Sequence, residues 1–285
     1  MMADSTSPLV LRRRLATELR NARQEKNQTQ EQVATAMVWS PSKVIRIENA
    51  ASSISINDLK ALLPFYGITD EKQTAELVAL ATEARKRTWW RSYSHVAPSS
   101  LIELIEYESA ASSVRQFEIT YIPGILQTEE YARAVLDNFY GDTPHSERVT
   151  ALVQLRTKRW EQLNQENAPR FSFILDEPVI RRLVGGPSVM RRQLRRLSEV
   201  AKLPNVTIEI VPLSAGLHPG ANGPFEIIQL AEASDEYVVY REGARNEISD
   251  DPNETQRYIE RYKRIKEVSL GPEDSAPLLD KIAEE

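Results

Sequence analysis

Any chemistry in this chain comes from residues other than cysteine. With no Cys among 285 residues, disulfide frameworks, thiolate metal sites and cysteine nucleophiles are excluded, in keeping with a reducing compartment. His95, His145 and His218 stand in unrelated contexts, so no metal centre is expected. Glu103, Glu106 and Glu108 lie close enough along one segment to be offered as catalytic carboxylates. Their spacing is more simply the polar face of a helix. Arg191, Arg192, Arg195 and Arg196 make two pairs four residues apart, opposite Met190, Leu194, Leu197 and Ala201. Such a row is ordinarily a solvated face, and the alternative is a dock for an acidic partner or a second phosphate contact. His218, beside Pro219 and Gly220, falls in a loop between two strands and is read as a loop histidine without a special role. Gly185-Gly186-Pro187 suits a helix stop and restart, and no Walker or dinucleotide fingerprint occurs. No catalytic constellation and no cofactor site emerge, so the chain is expected not to be an enzyme.

The elements that position these groups follow from periodicity. From Leu11 to Lys26, the residues Leu11, Leu15, Leu19 and Ala22 keep helical spacing. Thr29-Gln30-Glu31-Gln32 has the form of a capping box, opening a second helix that runs to about Met37. Ser40 and Pro41 suit the N-cap and first position of a third helix, which carries Val44 and Ile47 inward. A fourth begins near Ile56, buries Leu59, Leu62 and Leu63, and ends at Gly67. A fifth, capped by Thr69, closes on Arg85, Lys86 and Arg87. Residues 89–100 read as a junction.

Beyond the junction, Leu101 to Phe117, Thr128 to Asn138 and Ser146 to Gln165 read as helices. Strands are expected at Phe171–Leu175, Val206–Val211, Phe225–Leu230 and Tyr237–Tyr240, with a helix from Met190 to Lys202 and a final one from Glu254 to Val268. The fold class is therefore α+β, an all-α N-terminal domain followed by a mixed helix and sheet domain. The expected divisions are 1–67, a connecting helix and linker over 68–99, and 100–285.

Charge is unevenly distributed. Met1 to Tyr66 holds nine Lys and Arg against six Asp and Glu, whereas the remainder holds 27 against 35. The basic end is the one suited to meet phosphate. There is no apolar signal core and no run of eighteen apolar residues, so a cytoplasmic protein without a membrane span is expected.

Counting Gln30 as the first residue, Ala34 falls fifth, Val38 ninth, Val44 fifteenth and Ile47 eighteenth; the small fifth and the apolar fifteenth and eighteenth are the positions that let two short helices pack as a helix-turn-helix. In Thr29-Gln30-Glu31, Ala34, Ser40, Val44 and Ile47-Glu48-Asn49 the chain resembles the phage-repressor and XRE family, over about residues 11–66. The resemblance implies that Ser42, Lys43 and Arg46 reach base edges, Arg46 by two bonds to guanine. It implies that Thr29, Gln30 and Asn49 hold phosphates or flank the read base. Arg23 and Glu48 occupy the places where family members carry a structural ion pair. Val38 stands where the family usually has Gly at a positive backbone dihedral, which implies a reshaped turn. Family members bind as dimers, implying a homodimer on a near-palindromic operator in double-stranded DNA.

The segment from Tyr121 to Ala132, with its Pro123-Gly124 turn and Thr128 before Glu129 and Glu130, is physically a turn entering a helix. It also resembles the signature of the WhiJ-like bacterial regulators, in which an XRE head precedes a further domain. The likeness extends through Leu183-Val184-Gly185-Gly186, Gln193-Leu194, Asn205-Val206-Thr207, His218-Pro219 and Phe225. It implies a small partner protein or small-molecule signal at the C-terminal domain. The resulting expectation is a sequence-specific transcriptional regulator. The alternative is an antitoxin-like module that holds a small partner and regulates its own operon. A self-cleaving protease after Ala215-Gly216 is not expected, since such a domain is longer than the 69 residues that follow.

Overall fold

The computed structural model describes residues 8–86, 88–140, 147–164, 168–230, 236–242 and 246–284. Arg87, His145, Ser146 and Gln165 lie outside the described residues. Two compact units divide the chain, Met1–Trp89 and Trp90–Glu285.

In the first unit, α1 (Pro8–Glu25) turns Leu15, Leu19 and Ala22 inward. Two residues past its end, Asn27 with φ of 51° closes the helix in the left-handed region. In α2 (Gln30–Ala36) both bonds of the expected capping box form between Thr29 and Gln32. The helix α3 (Pro41–Glu48) begins at Ser40, whose hydroxyl accepts from the Lys43 amide. Gly67, with φ at 78°, follows α4 (Ile56–Phe65). The cap of α5 (Glu71–Glu83) is Asp70 and not Thr69. The Asp70 carboxylate accepts from the Gln73 amide at 2.7 Å, a charge-assisted bond that a threonine hydroxyl does not match. Leu77 and Ala81 of α5 join Leu19, Val33, Val44 and Leu59 in one core.

The second unit opens with α6 (Ser99–Glu108), followed by β1 (Ser113–Glu118), α7 (Glu129–Phe139), α8 (Glu147–Arg159) and β2 (Arg170–Asp176). Next come α9 (Glu177–Arg181), α10 (Pro187–Val200), β3 (Val206–Val211), β4 (Phe225–Gln229) and β5 (Tyr237–Arg241). The described chain ends with β6 (Glu247–Ser249), α11 (Pro252–Lys266) and α12 (Pro272–Glu284).

Six strands form one sheet in the order β3-β2-β1-β4-β5-β6. β1, β2 and β3 run parallel, as their helical crossovers require. The pairs from β1 through β4 and β5 to β6 are antiparallel. On one face, Phe171 and Phe173 of β2 and Ile208 of β3 pack against Leu194 and Leu197 of α10 and Leu279 of α12. On the other, Phe117, Ile174 and Ile227 meet Ile259, Tyr262 and Ile265 of α11. The sheet is thus covered on both sides. Its β3 edge is closed by the Leu270 amide donating to the Ile210 carbonyl at 2.8 Å and by Ser275 Oγ accepting from the Ile210 amide at 3.1 Å.

Besides the cap of α5, three further differences from the sequence reading have identifiable reasons. The helix read from Leu101 to Phe117 is α6 followed by β1. Val114 and Phe117, three residues apart, imitate a helical stripe because a central strand buries both faces. The segment after Val268 contains another helix, α12, despite Pro277 within it. Its burial of Leu279 and Ala283 against α10 and β3 outweighs weak local propensity. Finally, the short β6 was not expected, and it forms because it pairs with β5.

Candidate nucleic-acid interface

The turn between α2 and α3 is set by backbone bonds. The Trp39 amide donates to the Ala34 carbonyl at 2.8 Å and the Val38 amide to the Thr35 carbonyl at 3.2 Å. This helix stop needs a left-handed residue between them. Val38 takes that conformation, with φ at 55°, while its side chain is 91% exposed. The turn is therefore kept, not reshaped, with strain placed on a β-branched residue.

The far end of α3 is held by α1. Arg12 Nε donates to the Ala50 carbonyl at 2.6 Å. Arg20 donates to the Glu48 carbonyl and, at 3.1 Å, to Asn49 Oδ1. Arg23 donates from Nε and Nη2 to the two carboxylate oxygens of Glu48, at 2.7 and 2.9 Å. Cations at a helix C-terminus complement its macrodipole. Glu48 is 2% exposed, and it also accepts from Gln30 Nε2 at 2.9 Å and from the Tyr66 hydroxyl at 3.4 Å. The bond to Glu48 raises the Arg23 guanidinium, and burial raises the Tyr66 hydroxyl. Three arginines that make this end of the chain basic are thus engaged with α3.

What α3 presents outward is a single stripe. Ser42, Ile45, Arg46 and Asn49 are exposed and fall at helical spacing of three, four and seven. Arg46 has no side-chain partner among the described residues, and Ser42 Oγ lies 3.1 Å from Ser40 Oγ. Lys43 sits to one side. Its ammonium bonds Asp58 at 2.9 Å and lies 4.0 Å over the Trp39 ring. That bond holds the Asp58 carboxyl below the usual carboxylate range. Thr29 is exposed at the N-terminus of α2 as its cap, and Gln30 is turned toward Glu48. Ile45, 40% exposed, was missed in the sequence. A large apolar side chain three residues after Ser42 and outside the inward Val44 and Ile47 positions was the available signal.

The other residues singled out in the sequence are dispersed. Arg191 donates to the Ala283 carbonyl at 3.1 Å, Arg192 pairs with Glu130 at 2.6 Å, and Arg196 lies 3.4 Å over the Trp160 ring. Arg195 alone of the row is exposed without a partner among the described residues. Glu103 is exposed while Glu108 is buried against Arg159, so the three glutamates form no cluster. His218 packs edge-on to Phe117 and lies 3.7 Å from Asp176. Gly185 and Gly186 have φ of 70° and 89°, the expected restart before α10. Among the described residues, no group of three His, Asp or Glu side chains could hold a metal ion, and no helix is long and apolar enough to cross a membrane.

The profile of a helix-turn-helix domain matches residues 14–77, which suggests a DNA-binding regulator. No curated protein and no solved structure matches the chain. The profile of a domain of unknown function, DUF5753, matches residues 101–281, well over half of the chain. With its sheet and helices covered by that match and a helix-turn-helix domain ahead of it, the chain belongs to the DUF5753 family.

Proposed function

We propose that this protein is a cytoplasmic, sequence-specific transcriptional regulator of the XRE type, related to the WhiJ-like regulators, that binds a near-palindromic operator as a homodimer. The observation that carries the reading is the stripe of Ser42, Ile45, Arg46 and Asn49 on α3, exposed while the opposite side of the helix is clamped by α1. A recognition helix needs its orientation fixed before its side chains can discriminate bases. Arg46 reads guanine, Ser42 and Ile45 contact neighbouring base edges, and Thr29 and Asn49 flank them at the phosphates. Lys43, bonded to Asp58, braces α3 and meets phosphate at most. The second unit serves to receive a signal, and no catalytic role belongs to this reading. Engagement of Arg191, Arg192 and Arg196 within the fold favours the regulator over an antitoxin-like dock for an acidic partner.

The test is operator selection from random DNA with the full chain, followed by Arg46→Ala. Binding to the selected site is expected to weaken by about 1 to 3 kcal/mol, with little change on random DNA. Equal losses on both sequences would remove direct readout by Arg46.

A further inference from the structure

Within the second unit, one face of the sheet changes character from one edge to the other. Over β2 and β3 it is apolar and covered by α10 and α12. Over β1, β4 and β5 it carries Gln116, Glu226 and Tyr240 side by side in register, with Glu118 two residues further along β1. Between this polar half and α6, α7 and α8 lies a cavity of about 510 Å³, within the size range of small-ligand sites, roughly 300 to 1,000 Å³.

Its charges are not matched internally. Arg159 of α8 donates to both oxygens of Glu108, at 3.1 Å from Nε and more closely from Nη2. Arg156 donates to Gln127 at 2.9 Å and faces Glu242, which is hydrogen-bonded to Tyr121. Glu118 keeps a single bond, Oε1 accepting from Gln116 Nε2 at 2.9 Å, and Glu226 lies beside Glu108 and Arg159, whose bonds join each other. Glu118 and Glu226 are 2% and 1% exposed. Among the described residues, no donor reaches Oε2 of Glu118 or either oxygen of Glu226. An ionised carboxylate is unstable in such a place unless a cation joins it. Tyr121, Phe139 and Tyr140 add aromatic rings to the wall, and the faces of such rings attract cations.

We infer that this cavity binds a small organic cation, an amine or guanidinium compound, whose charged head pairs with Glu226 and Glu118 and whose body lies against Tyr121 and Phe139. The cation is then the signal of the regulator, so the inference rests on the proposed function. The binding itself is measured without DNA, and the two readings fail separately.

The full chain is titrated calorimetrically with butylamine, choline, agmatine and spermidine, with adipate and hexane-1,6-diol as anionic and neutral counterparts. At least one cation is expected to bind saturably, one per chain. The double variant Glu118→Gln, Glu226→Gln is expected to weaken it at least tenfold while retaining its thermal transition and its DNA affinity. If the double variant does not fold, each single variant is held to the same criterion. No binding by any of the four cations, equal binding of adipate, or variants that bind as well as the parent overturns the assignment. A cation that binds but leaves operator affinity unchanged supports the site and removes its regulatory role.

Discussion

Arg23 grips Glu48 through two parallel bonds, 2.7 Å from Nε to Oε1 and 2.9 Å from Nη2 to Oε2. The pair ties the last turn of α1 to the last turn of α3, the helix that carries the candidate readers. Removing the guanidinium leaves Glu48 buried with the neutral donors Gln30 and Tyr66. Arg23→Ala is therefore expected to lower the unfolding free energy by about 3 to 5 kcal/mol, measured by urea titration. A loss below about 1 kcal/mol would place the pair with solvated surface bridges.

Val38 invites the opposite result. Its φ of 55° strains a β-branched residue, and its 91% exposed side chain loses no packing on removal. A left-handed conformation costs a residue with a Cβ roughly 1 to 2 kcal/mol, against about 0.5 to 1 kcal/mol of extra chain entropy lost by glycine. Val38→Gly is expected to raise stability by about 1 kcal/mol and to leave DNA affinity intact. A destabilised Val38→Gly protein would contradict the assigned turn.

Ile45 separates binding from folding. Because it is exposed on the outer stripe, Ile45→Ala is expected to change stability by no more than about 0.5 kcal/mol. If its side chain meets a thymine methyl, affinity for the selected operator falls by roughly 1 kcal/mol, with no change on random DNA. Unchanged operator affinity would take Ile45 out of the interface.

The cavity carboxyls set a pH dependence. Burial holds Glu118 and Glu226 well above the ordinary value near 4.5, and Glu108 adds to the effect on Glu226. Glu108 from α6, Arg156 and Arg159 from α8, and Tyr240 and Glu242 at β5 face them. Raised folded-state values mean that the folded protein holds protons that the unfolded chain releases. The stabilisation is complete below the ordinary carboxylate value and is lost as pH rises through the raised values. Urea titrations from pH 5 to pH 8 are expected to show stability falling with pH, and the Glu118→Gln, Glu226→Gln variant a shallower fall. Identical slopes for the two proteins would show that these carboxyls are not the cause.

The helix-turn-helix could be read from the chain because its determinants are local. Thr29 and Gln32 form the capping box three residues apart, Ser40 and Pro41 open α3, and the core positions Ala34, Val44 and Ile47 lie within one short stretch. Short-range hydrogen bonding and helical spacing leave marks in a sequence whatever the rest of the molecule does. The bond between Lys43 and Asp58, by contrast, depends on how α3 and α4 meet and leaves no mark in the local sequence. In the second unit long-range contacts prevail. Val114 and Phe117 suggested a helix because β1 is covered on both faces. Glu118, Arg159, Glu226 and Tyr240 are scattered over more than a hundred residues and share one cavity because β1, β4 and β5 pair in a particular register with α8 above them. Strand pairing and burial of charge are settled by partners distant in the chain, and no local pattern encodes them.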